Sequence, residues 1–446
     1  MAKRETWATR VGFLVAAIGS AVGLGNLWQF PFKTAAFGGA AFVVLYLIAV
    51  VLIGFPAMLA EFVMGRRTHR NAVDAFEQLG SRQYRFIGGI AILAGFWILS
   101  YYNVVGGWVL RYIVGSARGA YFGSAGEYFG AVSAGPEAVV AQLVFLVIVV
   151  GVVALGIEDG IEKATKVMVP SIAVLMIGLA LWVVTVPGAG AGYAYFLSPS
   201  LDSIMANAGT AFPFAVSQAF FTLSLGMAIM LTYSSYIGED DNLLIDGGTI
   251  VVVNTLIGIL AGLVVFPILF ANDITPGAEG GAGALFVAVA SGFGTLPFSE
   301  LFGVVFFGVV ALAALSSAIS LLEVTVAYAN DNYDIPRPQL AAAIGVGLFL
   351  LGVPSAWDTQ LLTWFDNIAY GFLLPLSVLL LVLFVGWVLA GDAVAELREG
   401  TDGLGAVGPI WLWAIRLVVP LFVLVTLGLG IYDLFLSNDP AFFDPF

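Results

Sequence analysis

The chain has 446 residues, of which 61% are apolar before glycine is counted and only 10% are charged. A soluble globular chain runs at about 45–50% apolar with glycine included and roughly 25% charged. These values exclude disorder, a soluble enzyme and a nucleic-acid binder, and leave a polytopic membrane protein. Formal net charge is −13, from 29 acids against 16 lysines and arginines. Acid-rich, lysine-poor loops of this kind stay hydrated and screened in high salt, so a halophilic source is expected. Cysteine is absent, which removes disulfides and thiolate chemistry. The single histidine, His69, lies in an arginine-rich loop and reads as a solvated side chain.

The polar opening MAKRETWATR runs straight into a full-length apolar segment, so no cleavable signal peptide is expected. Apolar runs predict helices over 10–36, 39–64, 86–115, 138–156, 165–186, 207–237, 243–270, 299–329, 338–353, 361–390 and 409–435. About 20 apolar residues cross a bilayer as a helix, so these are read as eleven transmembrane spans. Lys3, Arg4 and Arg10 precede the first. Arg66, Arg67, Arg70, Arg82 and Arg85 follow the second. Lys163 and Lys166 follow the fourth, Arg337 the eighth and Arg398 the tenth. Eleven alternating spans put all of these on one face, which the positive-inside rule makes cytoplasmic. The other face carries Lys33, Arg111 and Arg118. The expectation is a multi-pass plasma-membrane protein with its amino terminus inside and its carboxyl terminus outside.

Two spans carry glycine and polar residues at mid-depth. The first reads GSAVGLGNLWQFPF, from Gly19 to Phe32, and the sixth reads SQAFFTLSLG, from Ser217 to Gly226. Glycine costs about 1 kcal/mol relative to alanine inside a helix. Gly19, Gly23 and Gly25 followed by Asn26 therefore invite an unwound stretch. Unwound backbone is tolerated in a membrane only where protein or a cavity satisfies it. Its free carbonyls can ligate a cation and its free amides can hold a carboxylate. Alone, Gly19-x-x-x-Gly23 also reads as a helix-packing motif. A dinucleotide-binding loop is excluded because no strand precedes it. The pairing of breaks in spans 1 and 6 points to two five-helix halves, 1–190 and 191–392, of opposite orientation. Residues 393–446 add span 11 and a tail. Such inverted repeats mark a secondary transporter with its site at the membrane midplane.

The motifs REtWATRvGF…GSAVGLGNLWqFPF, GFPAMLAEFVMGRR, QAFFTLSLGM…TYSSY and ALSSAISLLE together resemble the neurotransmitter:sodium symporter family, bacterial amino-acid members in particular. The resemblance runs from Arg4 to about span 11. It implies an all-α fold with eleven helices, helices 1 and 6 broken, and sodium-coupled uptake of an amino acid.

It also implies two sodium sites built from oxygen, the ligand type a hard cation prefers. One would use the Ala21 carbonyl with the side chains of Asn26, Thr222 and Asn254. The other would use carbonyls of Gly19, Val22 and Ala313 with the hydroxyls of Ser316 and Ser317. Read without the resemblance, Asn254 is an interhelical hydrogen bonder, and the serines bond their own i−4 carbonyls. The substrate carboxylate would meet the amides of Leu24 and Gly25 and the hydroxyl of Tyr102, which otherwise reads as a packing aromatic. The amine would face carbonyls of Ala21, Phe221, Thr222 and Ser224. Gly23 stands where monoamine members carry an aspartate, which leaves room for a ligand with its own carboxylate. Ile98, Phe221, Met227 and Leu321, with Ser317 at the edge, make an apolar subsite. The implied substrates are hydrophobic amino acids, large and aromatic ones included.

Members of this family close the outer face with an arginine–aspartate pair. Asp366 matches the aspartate, but Gln29 stands at the arginine position. Lys33, one helical turn on, is the expected substitute charge; the alternative is a neutral Gln29 hydrogen bond with Asp366 hydrated. At the inner face Arg4 and Asp331 match the family's pair, with Trp7, Ser235 and Tyr236 around it. Glu61 and Glu323 are intramembrane acids, read as functional or as structural. Chloride dependence is open. Tyr46 and Gln218 match parts of the family's chloride site, whereas Gly258 supplies neither the serine nor the acid found there. A proton counter-ion is open as well.

Three rivals stand beside this reading. A channel needs a continuous polar path, whereas polar residues here cluster at mid-depth. A membrane enzyme finds no metal, nucleophile or nucleotide motif. A binding-only sensor with the same site, or a carrier of another small zwitterion, is not separated by sequence. The partners expected are a small-molecule substrate and the lipid bilayer, without nucleic acid.

Overall fold

The computed structural model describes residues 6–238, 241–276, 283–294, 296–401, 403 and 405–437, and no strand occurs among them. Among these residues nine helices are long and apolar enough to cross a membrane. They are Ala40–Thr68, Arg82–Arg118, Pro136–Ala154, Ile157–Val183, Leu243–Ala271, Ser299–Asn332, Arg337–Trp357, Thr359–Leu389 and Val407–Leu436. A tenth is a bent pair, Arg10–Ala21 and Gly25–Ala36, whose axes differ by 41°. These helices are numbered below as spans in chain order.

Length and apolarity alone therefore give nine or ten spans rather than the expected eleven. The difference falls on the sixth. Leu201–Thr222 and Ile229–Ser234 occupy its place, parted by turns. Its serines, glutamine and threonines dilute the apolar run, so it is visible by its place in the fold and not by composition.

The break in span 1 follows from its residues. The helical ladder ends at Val22, whose N–H still reaches the Ile18 carbonyl at 2.7 Å. Val22 itself turns to an extended conformation. The Gly23 amide, which would have continued the ladder, donates to the Asn26 side-chain oxygen at 3.1 Å. Helix resumes at Gly25. In span 6, Ser224, Gly226 and Ala228 all take positive φ, at 55°, 77° and 59°. Left-handed backbone costs a non-glycine residue about 1–2 kcal/mol, so two of these three positions are held by their surroundings. Glu61 of span 2 does part of that work. Its carboxylate accepts from the amides of Gly226 at 2.8 Å and Leu231 at 3.2 Å. Backbone groups freed at a helix end need such partners.

The packing places both breaks in the interior. Span 8 lies along spans 3 and 5 and touches one half of each broken span, Arg10–Ala21 of span 1 and Ile229–Ser234 of span 6. Spans 3, 4 and 9 pack against one another and all three against span 8, and span 3 lines the cavity through Ile98 and Tyr102. Short connecting helices occur at Ala72–Leu79, Ala125–Ser133, Gly190–Leu197, Ala284–Gly294 and Gly391–Arg398.

Candidate functional site

The two breaks meet in the middle of the molecule. A Cβ added to Gly25 would stand 3.0 Å from the Phe221 ring and 3.3 Å from the Thr222 Cα. A side chain here would press on both, and glycine lets the two segments come this close. Gln218 ties them further, donating to the Gly25 carbonyl at 2.8 Å.

Between the breaks lies a cavity lined by two sets of side chains. Ile98, Phe221, Met227, Ile229 and Leu321 form its apolar wall, and Tyr102, Ser317, Ser20 and Ser224 its polar one, with backbone of Ala21, Gly23 and Gly25. The Leu24 N–H donates to the Tyr102 hydroxyl at 3.1 Å. Tyr102 thus meets the unwound backbone and is more than a packing ring. Of the expected substrate-contacting residues, Leu24 and Thr222 do not line the cavity; Leu24 presents its amide from behind and Thr222 turns toward Asn254. Ser20 and Ile229 line it without having been expected. Each adjoins a break, so the glycine and serine pattern that located the breaks carried that signal too.

Oxygen atoms gather at two places beside this cavity. In the first, one amide atom of Asn254 lies 2.9 Å from the Ala21 carbonyl, 3.2 Å from the Thr222 carbonyl and 3.3 Å from Asn26 Oδ1. The Asn26 Nδ2 lies 2.9 Å from the same atom and donates to the Asn254 carbonyl at 3.0 Å. Thr222 Oγ1 completes the group against the Asn254 amide. A nitrogen at that Asn254 position donates to the carbonyls; an oxygen there accepts from Asn26 Nδ2 and faces the Ala21 and Thr222 carbonyls, a group of acceptors of the kind a cation takes.

In the second place, a Cβ at Gly19 would lie 2.3 Å from Ser316 Oγ, so this serine faces the span 1 backbone directly. Ser316 Oγ is buried and has no hydrogen-bond partner. Ser317 Oγ donates to the Ser20 carbonyl at 2.8 Å. Neither hydroxyl bonds its own i−4 carbonyl, which removes that alternative. The Ser20 carbonyl also accepts from Ser224 of span 6 at 2.9 Å. Ala313 is buried one turn away on span 8, and Val22 on span 1 is likewise buried. A buried orphaned hydroxyl beside freed carbonyls is the donor set a hard cation takes.

The two ends of the molecule differ. Near Trp7, the indole donates to the Tyr233 carbonyl at 2.9 Å and the ring packs edge-on against Tyr233 and Tyr236. The Tyr236 hydroxyl donates to Glu323 at 3.1 Å, and Glu323 pairs with Arg337. The Glu162 carboxylate receives the Ala8 N–H, the Thr9 hydroxyl and Lys166. Arg10 pairs with Asp246 at 2.5 Å. Asp331 accepts from Asn71 at 3.0 Å; its expected partner Arg4 lies outside the described residues.

At the other end, the Tyr101 hydroxyl donates to Asp366 at 2.8 Å. Trp97 stacks on Phe365 and donates to its carbonyl at 2.9 Å. Lys33 does not come within 4 Å of the Asp366 carboxylate; no ion pair joins them. Its ammonium instead stands over the rings of Phe32, Phe214 and Tyr370, 5.2–5.5 Å from their centroids. Gln29 Oε1 is buried and accepts no hydrogen bond, so the neutral bond is not made at this oxygen either. Gly258 lies beside the first oxygen cluster, with a Cβ there 3.6 Å from Asn26 Nδ2.

The sodium:neurotransmitter symporter family pattern matches residues 4–121 and 133–439. An uncharacterized sodium-dependent transporter of Bacillus subtilis, YhdH, is 35% identical over 441 residues, covering 95% of this chain and 97% of its own. Another from Methanocaldococcus jannaschii is 33% identical, covering 94% of this chain and 89% of its own. The crystal structure of MhsT in complex with L-phenylalanine superposes with a TM-score of 0.86 at 37% identity, covering 95% of this chain and 99% of that one. Matched in this way along nearly its whole length, and folded around two broken helices, the chain belongs to the sodium:neurotransmitter symporter family, whose members are multi-pass membrane transporters and not enzymes.

Proposed function

We propose that this sodium-coupled transporter imports hydrophobic L-amino acids, phenylalanine-like ones included, with two sodium ions. The observation that carries this reading is the make-up of the cavity. Unwound backbone, Tyr102 and Ser317 suit an α-amino acid head group; Ile98, Phe221, Met227, Ile229 and Leu321 suit an apolar side chain. A methionine wall adapts to ligands of different shape. The neighbouring structure of MhsT holds L-phenylalanine, which supports the same class.

In this reading the substrate's carboxylate takes the place of the Tyr102 hydroxyl as partner of the Leu24 amide, at the start of a half-helix. Ala21, Asn26, Thr222 and Asn254 hold one sodium ion. Gly19, Val22, Ala313, Ser316 and Ser317 hold the other. The halves 1–190 and 191–392 are inverted repeats, and the Trp7 end faces the cytoplasm. Spans 1, 2, 6 and 7 move as a bundle so that first the Asp366 end and then the Trp7 end opens.

The driving force suffices. One charge crossing 100 mV gains about 2.3 kcal/mol, and a tenfold gradient adds about 1.4 kcal/mol. Two sodium ions with a zwitterion supply about 7 kcal/mol, enough for roughly 10⁵-fold accumulation at the limit.

The test is thermal stability of the purified protein with each of the twenty amino acids, in sodium and in potassium at equal ionic strength. A ligand bound only to the folded state raises stability by RT ln(1 + [L]/Kd). Shifts from leucine, methionine, phenylalanine or tryptophan in sodium alone are expected. No shift from any amino acid sinks the substrate class. Shifts indifferent to sodium remove the two ion sites. Counterflow of labelled substrate separates a carrier from a binding-only sensor.

A further inference from the structure

Span 11 carries a cation that the transport site does not use. Arg416 lies nine residues past the start of this span at Val407, about 13 Å along the helix. It is partly exposed, and no carboxylate lies within 4 Å of it among the described residues. Its Nε donates to the Gly386 carbonyl at 2.7 Å. Gly386 is three residues from the end of span 10 at Leu389, about 5 Å of helix. Among the described residues the two terminal guanidinium nitrogens have no hydrogen-bond or ion-pair partner.

Two tryptophans frame this group. The guanidinium stands 5.1 Å from the ring of Trp387 and 5.6 Å from the ring of Trp413. Both rings are mostly exposed on the outer surface, at 56% and 55%, and neither indole N–H has a hydrogen-bond partner among the described residues. By contrast the buried Trp411 donates to the Pro56 carbonyl at 3.0 Å. Trp413 precedes Arg416 by one turn. A helical side chain leans toward the helix amino terminus, so Arg416 leans over Trp413 toward the 390–406 connection.

A cation within a span is costly unless something of opposite charge or high polarity meets it. Exposed tryptophans sit where bilayer meets water. We propose that Arg416, Trp387 and Trp413 form a binding site for the phosphodiester headgroup of an anionic phospholipid in the leaflet on the 390–406 side. The guanidinium fork takes two phosphate oxygens, a geometry it is built for. The two indole N–H groups meet the ester region, and the rings lie against the upper acyl chains. The site faces lipid, away from the cavity between the breaks, so it does not share groups with transport.

The experiment is native mass spectrometry of the full chain in detergent, titrated with phosphatidylglycerol, phosphatidylcholine or inorganic phosphate. Retention of one phosphatidylglycerol per chain is expected, at least about tenfold tighter than phosphatidylcholine and not displaced by millimolar phosphate. Arg416→Gln weakens this at least tenfold. Arg416→Lys, which keeps the charge but loses the fork, and Trp413→Leu each weaken it about threefold, and they serve if Arg416→Gln does not fold. Wild-type-like retention in Arg416→Gln, or in both milder variants, overturns the proposal. Equal retention of phosphatidylcholine overturns its anionic specificity. Displacement by inorganic phosphate assigns a free-anion site in place of a lipid one.

Discussion

A Cβ at Gly23 would stand 2.2 Å from the Ser317 hydroxyl and 3.0 Å from that of Tyr102. Both groups face the substrate cavity, so the missing side chain is what lets them converge. Overpacking of this kind costs about 1–3 kcal/mol. Gly23→Ala is therefore expected to weaken amino-acid binding roughly ten- to hundredfold, read as a lost thermal shift, with the fold retained in size-exclusion chromatography. Lys33 poses a different question at the same scale. Its contacts with three rings can contribute about 0.5–2 kcal/mol, and any field it exerts on Asp366 acts across more than 4 Å. If the outer closure uses that charge, Lys33→Ala lowers uptake about fivefold, equivalent to about 1 kcal/mol, and Lys33→Arg restores most of it. Equal uptake and equal outer accessibility in both variants leave Lys33 a packing residue. Sequence reasoning could place Lys33 one turn from Gln29, because helix periodicity fixes that. It could not see the rings around it, since Phe214 and Tyr370 come from spans 6 and 10.

The break in span 6 illustrates what an element needs beyond its own residues. Gly226 supplies one positive φ freely, but Ser224 and Ala228 are bent by context. Glu61, buried in span 2, holds the Gly226 amide within the turn and the Leu231 amide just after it. Hydrogen bonds to a charged group contribute about 1.5–3 kcal/mol each. Glu61→Gln keeps one acceptor oxygen and loses the charge, so a loss of about 2 kcal/mol is expected, read as a lower denaturation midpoint in both sodium and potassium. An unchanged midpoint removes Glu61 from the break. Glu61 was legible only as an acid inside an apolar run; that it caps a turn 165 residues later was not. Glu323, the other such acid, proves to pair with Arg337 and Tyr236 at the Trp7 end. Both breaks were legible, because glycine, serine and asparagine at mid-span conflict with every other residue of a membrane helix. The short connecting helices were not, because eight to eleven residues between spans carry too little periodicity to separate helix from loop.

For the whole molecule, the long spans were legible in apolar length, and the basic residues predict an orientation. The sixth span escaped a count by apolarity because the site itself is built into it. Orientation is open to a direct test, since the chain has no native cysteine. Ser81 and Gly126 are both exposed, on connections that alternation puts at opposite faces. In sealed right-side-out vesicles Gly126→Cys is expected to react with an impermeant maleimide, and Ser81→Cys only after permeabilisation. The reverse pattern turns the molecule over. One feature of the interior acquires meaning at this scale. The Ser20 carbonyl accepts two hydroxyls at once, Ser224 from span 6 and Ser317 from span 8. Spans 1 and 6 lie in the bundle proposed to turn; span 8 lies in the frame. Turning must tear the Ser317 bond while the Ser224 bond rides along. That oxygen is thus one stitch in a seam between rotor and stator, which the Leu24–Tyr102 bond also crosses, and the barrier to the proposed stroke includes the release of Ser317.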